Sequence, residues 1–192
     1  MASNSYKQSS LNKSRADKFK LVFQVPAALR KINTRQERSN NNIIENSLQF
    51  SIYGSVVPEI IVPALEIRYA GSTLYNSSHS KNPYPPVTVN FTIDNEYNNY
   101  WVIYKWLELL HDEKTGLFDQ SSLTDNAIFA DYQTDISIFG LDEFDNQRIK
   151  FKYVKAFPTT LGGVTYNYRD GGEIESSFTF VYSQLQTELL AV

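Results

Sequence analysis

The sequence predicts a mainly β protein: an antiparallel β-sandwich or barrel with one flanking helix at about residues 96–113. Three observations carry this. Apolar and polar residues alternate with period 2 in several separated runs, the pattern of strands with one buried and one wet face. Aromatic residues make up 14% of the 192-residue chain, with 13 Tyr and 12 Phe, and such side chains favour pleated, half-buried positions. Turn-forming residues stand between the runs at hairpin spacing.

The first strand is read in KFKLVFQV, where Phe19, Leu21, Phe23 and Val25 share a face opposite Lys18, Lys20 and Gln24. Leu48, Phe50 and Ile52 alternate with Ser47, Gln49 and Ser51. Val87, Val89, Phe91 and Ile93 alternate with Thr88, Asn90, Thr92 and Asp94. Between these runs, Gly71 to Pro86 (GSTLYNSSHSKNPYPP) is polar, Pro-terminated and too long for a routine connection, so it is expected to be a contact loop. From Tyr97 to Glu113 the period changes. Tyr97, Tyr100, Trp101, Tyr104, Leu107 and His111 fall at helical spacing, and Ile103, Trp106 and Leu110 form a second stripe. Asp94 or Asn95 can cap this helix, and Thr115-Gly116 offers a stop. With two stripes, the helix is expected to be covered on more than one side; core packing is the better reading for Trp101, while Trp106 is balanced between core and contact. Asp145-Asn146 forms a hairpin turn leading into Ile149, Phe151 and Tyr153, which oppose Arg148, Lys150 and Lys152. Gly162-Gly163 and Asp170-Gly171-Gly172 mark further reversals. The last strand sets Ile174, Phe178, Phe180 and Tyr182 against Glu175, Ser177 and Thr179.

The length fits one domain, read here as a flexible basic arm over 1–16 and a single β domain over 17–192 with a long loop at about 70–86. Cysteine is absent, which excludes disulfides, thiolate nucleophiles and cysteine zinc sites. Only His79 and His111 supply imidazole. The acidic group Asp142, Glu143 and Asp145 lacks the glycine and distal glutamate of a calcium loop and is read as a solvated turn. The Gly-Gly pairs lack the context of a phosphate cradle. No catalytic constellation, cofactor site or metal site is expected, and no apolar run reaches the length of a membrane span. The start MASNSYKQSS carries no signal-peptide core, so a soluble, non-secreted protein is expected.

Charge is distributed unevenly. Residues 1–40 hold nine Lys/Arg against Asp17 and Glu37, and the rest hold nine against nineteen Asp/Glu, so a +7 arm sits on a −10 body. Such an arm can grip phosphates or lie on the acidic surface of a neighbouring copy. Few aromatics accompany its charges, and self-association or a solvated tail is the favoured reading. A nucleic-acid-binding module using the arm is the rival, weakened by the acidic balance of the whole chain. A carbohydrate-binding or hydrolytic sandwich using Tyr97 to Tyr104 is a second rival, weakened because those tyrosines lie on an amphipathic helix.

The order of the pieces resembles the tail tube proteins of contractile-tailed bacteriophages. KFKLVFQVP is similar to that family's first strand, and a strand pair with an extended loop containing VPEIIVPALEIRYAG follows. VNFTIDNEYNNYWVIYKWLELL resembles its strand, short turn and tryptophan-bearing helix. DISIFGLDEFDNQRIKFKYVKAFPTTLGGVTYNY and IESSFTFVYSQL resemble its hairpin, aromatic-Pro pair (Phe157-Pro158), glycine turn and closing aromatic strand. The resemblance spans roughly residues 18–186. It implies a non-enzymatic virion protein, made in the host cytoplasm, whose hexameric rings stack into the tail tube. It also implies partners: further copies of itself, the sheath, baseplate and neck proteins, a tape-measure protein, and double-stranded DNA passing through the lumen without specific binding. A tube-initiator, neck or baseplate subunit of the same fold is the alternative. The residues expected at subunit contacts are Lys7, Lys13, Arg15, Lys18 and Lys20 of the arm and first strand, Tyr75, His79 and Tyr84 of the loop, Trp106 of the helix, and Lys150 and Lys152. For the face carrying Arg148, Lys150 and Lys152, the expectation is a subunit contact or the outer surface, not the lumen.

Overall fold

Alternation in the apolar runs decides which side of each strand leaves water. The computed structural model describes residues 13–26, 29, 51–111, 132–169 and 171–190. The strands in chain order are β1 (Phe19–Phe23), β2 (Ile52–Ser55), β3 (Ala64–Tyr69), β4 (Ser72–Ser77) and β5 (Val87–Thr92). After the helix α1 (Asn98–Glu108) come β6 (Thr134–Leu141), β7 (Gln147–Leu161), β8 (Glu175–Val181) and β9 (Gln184–Leu189). Leu21 and Phe23 of β1, Val87, Val89 and Phe91 of β5, and Phe178 and Phe180 of β8 are buried as their alternation predicts. The run through Leu48 and Phe50 lies outside the described residues; its continuation appears as β2.

All pairings are antiparallel. The order β1-β6-β7-β8-β5-β2 is continuous, and β9 adds to β7. The 15-residue β7 is shared: residues 147–156 pair with β6 and 149–154 with β9, while 157–161 pair with β8. Apart from the β3–β4 pair, the described residues therefore make two sheets joined at one strand, a sandwich that does not close into a barrel among them. Lys155 makes the corner. Thr134 opposes Ala156 and Ile136 opposes Tyr153, so β7 carries one extra residue there. Lys155 adopts a left-handed φ of 56°, which puts both Tyr153 and Ala156 on the core side. Asp135 holds the bulge, accepting the Lys155 N–H at 3.1 Å through Oδ1 and the Lys152 ammonium at 2.8 Å through Oδ2.

The core fills the space between the two sheets and α1. Phe91 meets Phe178 at 6.0 Å between ring centroids, and Tyr153 meets Phe180 at 5.2 Å and Tyr182 at 4.9 Å. Desolvation pushes the Tyr153 phenol upward and Tyr182 up to about 12, so both stay neutral.

The helix differs from expectation in its buried face. Asn99, Val102, Ile103 and Trp106 are buried, with Leu109 just beyond the C-terminus, whereas Trp101 is half-exposed. Both stripes fit a helical period. The stripe with Tyr97, Tyr100 and Tyr104 carries phenols that favour a wet boundary, while Ile103 and Trp106 can be fully desolvated. Trp106 stacks on Phe23 at 6.1 Å and donates its indole N–H to the Tyr132 carbonyl at 2.7 Å. Asp94 serves the N-terminus by accepting the Asn98 N–H at 2.8 Å, and buried Asn99 donates to the Thr92 carbonyl at 2.8 Å, tying α1 to β5. Helix geometry ends at Glu108 rather than near 113; Thr115-Gly116 lies outside the described residues.

Candidate assembly surfaces

The β3–β4 hairpin stands apart from the two sheets. Its turn is Ala70-Gly71, with φ of 48° and 81°, the two-residue geometry that matches strand twist. Ser72–Ser77, expected as the start of a contact loop, is thus a strand, paired from Ala64↔Ser77 to Tyr69↔Ser72. Further hydrogen bonds, Ser78 N–H to Pro63 O at 3.0 Å and Asn82 N–H to Ile61 O at 3.2 Å, extend the two-stranded arm toward its root. Every residue of both strands is exposed. Pairing puts Leu65, Ile67 and Leu74 on one face, and Glu66, Arg68, Thr73 and Tyr75 on the other. The approach to β3 adds exposed Val56, Ile60, Ile61 and Val62. Sequence reasoning missed this apolar face, although Leu65, Ile67 and Tyr69 alternate with Glu66 and Arg68 in the sequence itself.

The root of the hairpin is latched. Tyr84 packs on Tyr182 at 5.1 Å, and Lys81 sits 3.9 Å over the Tyr84 ring with its ammonium on the phenol oxygen. That ammonium lowers the Tyr84 pKa. Tyr75 lies on the open hairpin. His79 is exposed at a left-handed φ of 53°, with its N–H on Ser77 Oγ at 3.2 Å.

The other expected contact residues scatter. Lys7 lies outside the described residues. Lys13 is exposed, as is Arg15, which forms a two-pronged pair with Asp17 at 2.9 and 2.7 Å. Lys18 reaches across to Asp145 at 2.7 Å, and Lys20 is exposed on β1. Lys150 stands opposite Phe139, its Nζ 5.8 Å from that ring, and Lys152 is paired with Asp135. Trp106 is a correction: the structure puts it in the core with no exposed surface, so it offers no side chain to a helix-side contact.

The acidic turn between β6 and β7 is a folding device. Asp142 accepts the Phe144 and Asn146 N–H groups at 2.9 and 2.8 Å, and Arg148 at 2.7 Å. Partial desolvation raises this carboxyl, but the Asn146, Arg148 and Phe144 hydrogen bonds outweigh it and hold the pKa at about 2. Among the described residues no three metal-binding side chains gather, and no helix is long and apolar enough to cross a membrane.

The sequence profile of the phage tail tube protein family matches residues 14–188. The chain belongs to that family. Membership gives it a structural place in a phage tail rather than a catalytic one. Three solved structures share the fold of this tail tube protein. The tube-terminating cap of the anti-feeding prophage aligns over 99% of this chain and 100% of its own, with TM-score 0.59 and 12% identity. An extracellular contractile injection system (PVC), solved as a sheath–tube complex in the extended state, aligns over 94% and 95% with TM-score 0.58 and 10% identity. The anti-feeding prophage baseplate aligns over 92% and 96%, with TM-score 0.54 and 11% identity. No curated protein sequence matches this chain.

Proposed function

We propose that this tail tube protein assembles with copies of itself into hexameric rings that stack into the tube. The tube is then the channel for the ejected genome and the core on which a contractile sheath builds. The observation that carries this is the β3–β4 hairpin, whose Leu65, Ile67 and Leu74 face is left about half exposed among the described residues. A lone two-stranded hairpin is marginal in water, and an apolar face of this kind calls for a protein partner. A second copy is the occupant: the family builds a tube, and the chain shares its fold with a tube, a cap and a baseplate. Among the described strands β1 and β2 lie at sheet edges, which supports the same reading, since paired edges cease to be aggregation hazards. The basic arm, with Lys7, Lys13 and Arg15, reaches a neighbour's acidic surface in this scheme. The tape-measure protein fills the lumen during assembly, and baseplate and neck proteins bound its ends.

Negative-stain electron microscopy over a concentration series tests this. Six-fold rings or hollow tubes are expected. Monomers at every concentration, even when seeded with preformed baseplates, overturn it. Deleting residues 1–16 is expected to leave a folded protein with impaired tube growth; normal growth would refute the role given to the arm.

A further inference from the structure

The joint at β7 gives the subunit two wet faces of opposite chemistry. On the sheet formed by β2, β5, β8 and the end of β7, the residues facing away from the core are Thr88, Asn90 and Thr92, with Ser177 and Thr179 beside them and Val181 at the end of the row. Thr88 and Thr179 hydroxyls meet at 3.0 Å across the strands. Thr160 continues the row from β7, opposite Thr179. Glu175 is the ionisable carboxyl on this face, and it accepts the Tyr53 hydroxyl at 3.0 Å. No Lys or Arg occurs in β2, β5, β8 or residues 157–161. The other sheet is the reverse. Its wet face carries Lys18, Lys20, Arg148, Lys150 and Lys152 against Asp135 and Glu188, with Val22 and Phe139 among them.

Resting on the tube reading above, we infer that the Thr/Ser/Asn face of β2–β5–β8 lines the bore, and that the lysine-bearing face of β1–β6–β7–β9 is turned away from it. The argument is electrostatic. Duplex DNA carries one charge per ~1.7 Å, and every phosphate neutralised by a Lys or Arg adds to retention. A cation at one position would recur in every subunit of every ring, so contacts would accumulate along the whole bore. Hydroxyls and amides hydrogen-bond water and one another and offer a polyanion no fixed counter-charge. Glu175 adds mild repulsion. The lysine-bearing face has the chemistry of a protein contact instead: the Lys150 ammonium lies 5.8 Å from the Phe139 ring, and Lys18, Arg148 and Lys152 are already partnered by Asp145, Asp142 and Asp135.

The chain has no cysteine, so a single introduced thiol is unique. Thr88→Cys and Thr179→Cys test the hydroxyl face and Gln186→Cys the opposite one, each labelled with a maleimide-bearing gold cluster after ring assembly. Top views are expected to show gold at the inner rim for Thr88→Cys and Thr179→Cys, and at the outer part of the ring for Gln186→Cys. Outer-rim gold at the two threonine sites would overturn the inference while leaving the ring reading intact. So would loss of labelling there on assembly, which would mean a face buried between subunits. If the unmodified chain forms no rings, the tube reading falls first and takes this inference with it. Two sites on the hydroxyl face keep the test decisive if one substitution disturbs folding.

Discussion

Replacing Leu65, Ile67 and Leu74 together by serine separates the hairpin's part in assembly from any part in folding. The three side chains are 54%, 45% and 53% exposed and none belongs to the core of the described residues, so each change is expected to alter subunit stability by about 1 kcal/mol or less. Complete burial of such a side chain stabilises by about 1.5–3 kcal/mol. About half of each remains to be covered by a partner, which leaves roughly 1 kcal/mol apiece and roughly 3 kcal/mol per hairpin. At 1.4 kcal/mol per tenfold, the concentration at which assembly begins should rise on the order of 100-fold. This is a lower bound where each subunit both gives and receives a hairpin. Light scattering and sedimentation velocity over a dilution series read the onset, and urea unfolding at a concentration below it reads the subunit. An unchanged onset would refute the reasoning. So would a large loss of subunit stability, because the hairpin would then be covered by its own chain.

Trp106→Ala is expected to cost the isolated subunit about 3–5 kcal/mol in urea unfolding, as a fully buried ring. A stable subunit that fails to assemble would instead restore Trp106 as a contact residue. Asp135→Ala removes the carboxylate that holds the Lys155 bulge; with its half-exposed ion pair discounted, a loss of about 1–2 kcal/mol is expected. Asp135→Asn, which keeps an acceptor, should lose less, and equal losses would contradict the bulge role. Asp142 has a folded pKa of about 2, below its unfolded value, so its contribution is fully present above the unfolded carboxylate range. It fades as pH falls from about 4 through 2, and the stability gap between the unmodified chain and Asp142→Asn should close over that window. Parallel stability curves would count against it.

Most of the two-sheet body was legible because its strands obey one local rule. Each apolar face of β1, β5 and β8 meets the core, so period 2 in the sequence is period 2 in burial. The Asp142 turn was legible for the same reason, since Asp and Asn satisfy backbone N–H groups at short range. The helix face was not. Two stripes shared one period, and the choice depended on what packs beside α1: Phe23 and the Tyr132 carbonyl, neither near it in sequence. The corner at Lys155 was equally hidden, because a bulge on a lysine needs an acceptor from another strand, Asp135.

The hairpin carries a different lesson. ALEIRY alternates as cleanly as VTVNFT, yet Val87, Val89 and Phe91 are buried while Leu65 and Ile67 are not. Alternation reports which residues are built to leave water, not which molecule covers them. In β5 the cover is β8's neighbouring face, α1 and the opposite sheet. In β3 the described residues leave Leu65 and Ile67 about half exposed, although the pattern and the two-residue turn are as regular as any in the body. In the tube proposed above, a second copy completes the core that this face begins. Residues of the expected loop, Tyr75 among them, sit on the strand that presents that face, and Tyr84 fixes its root against Tyr182. In the proposed tube, a root fixed in this way would lower the ordering cost of seating Leu65, Ile67 and Leu74 on a neighbour.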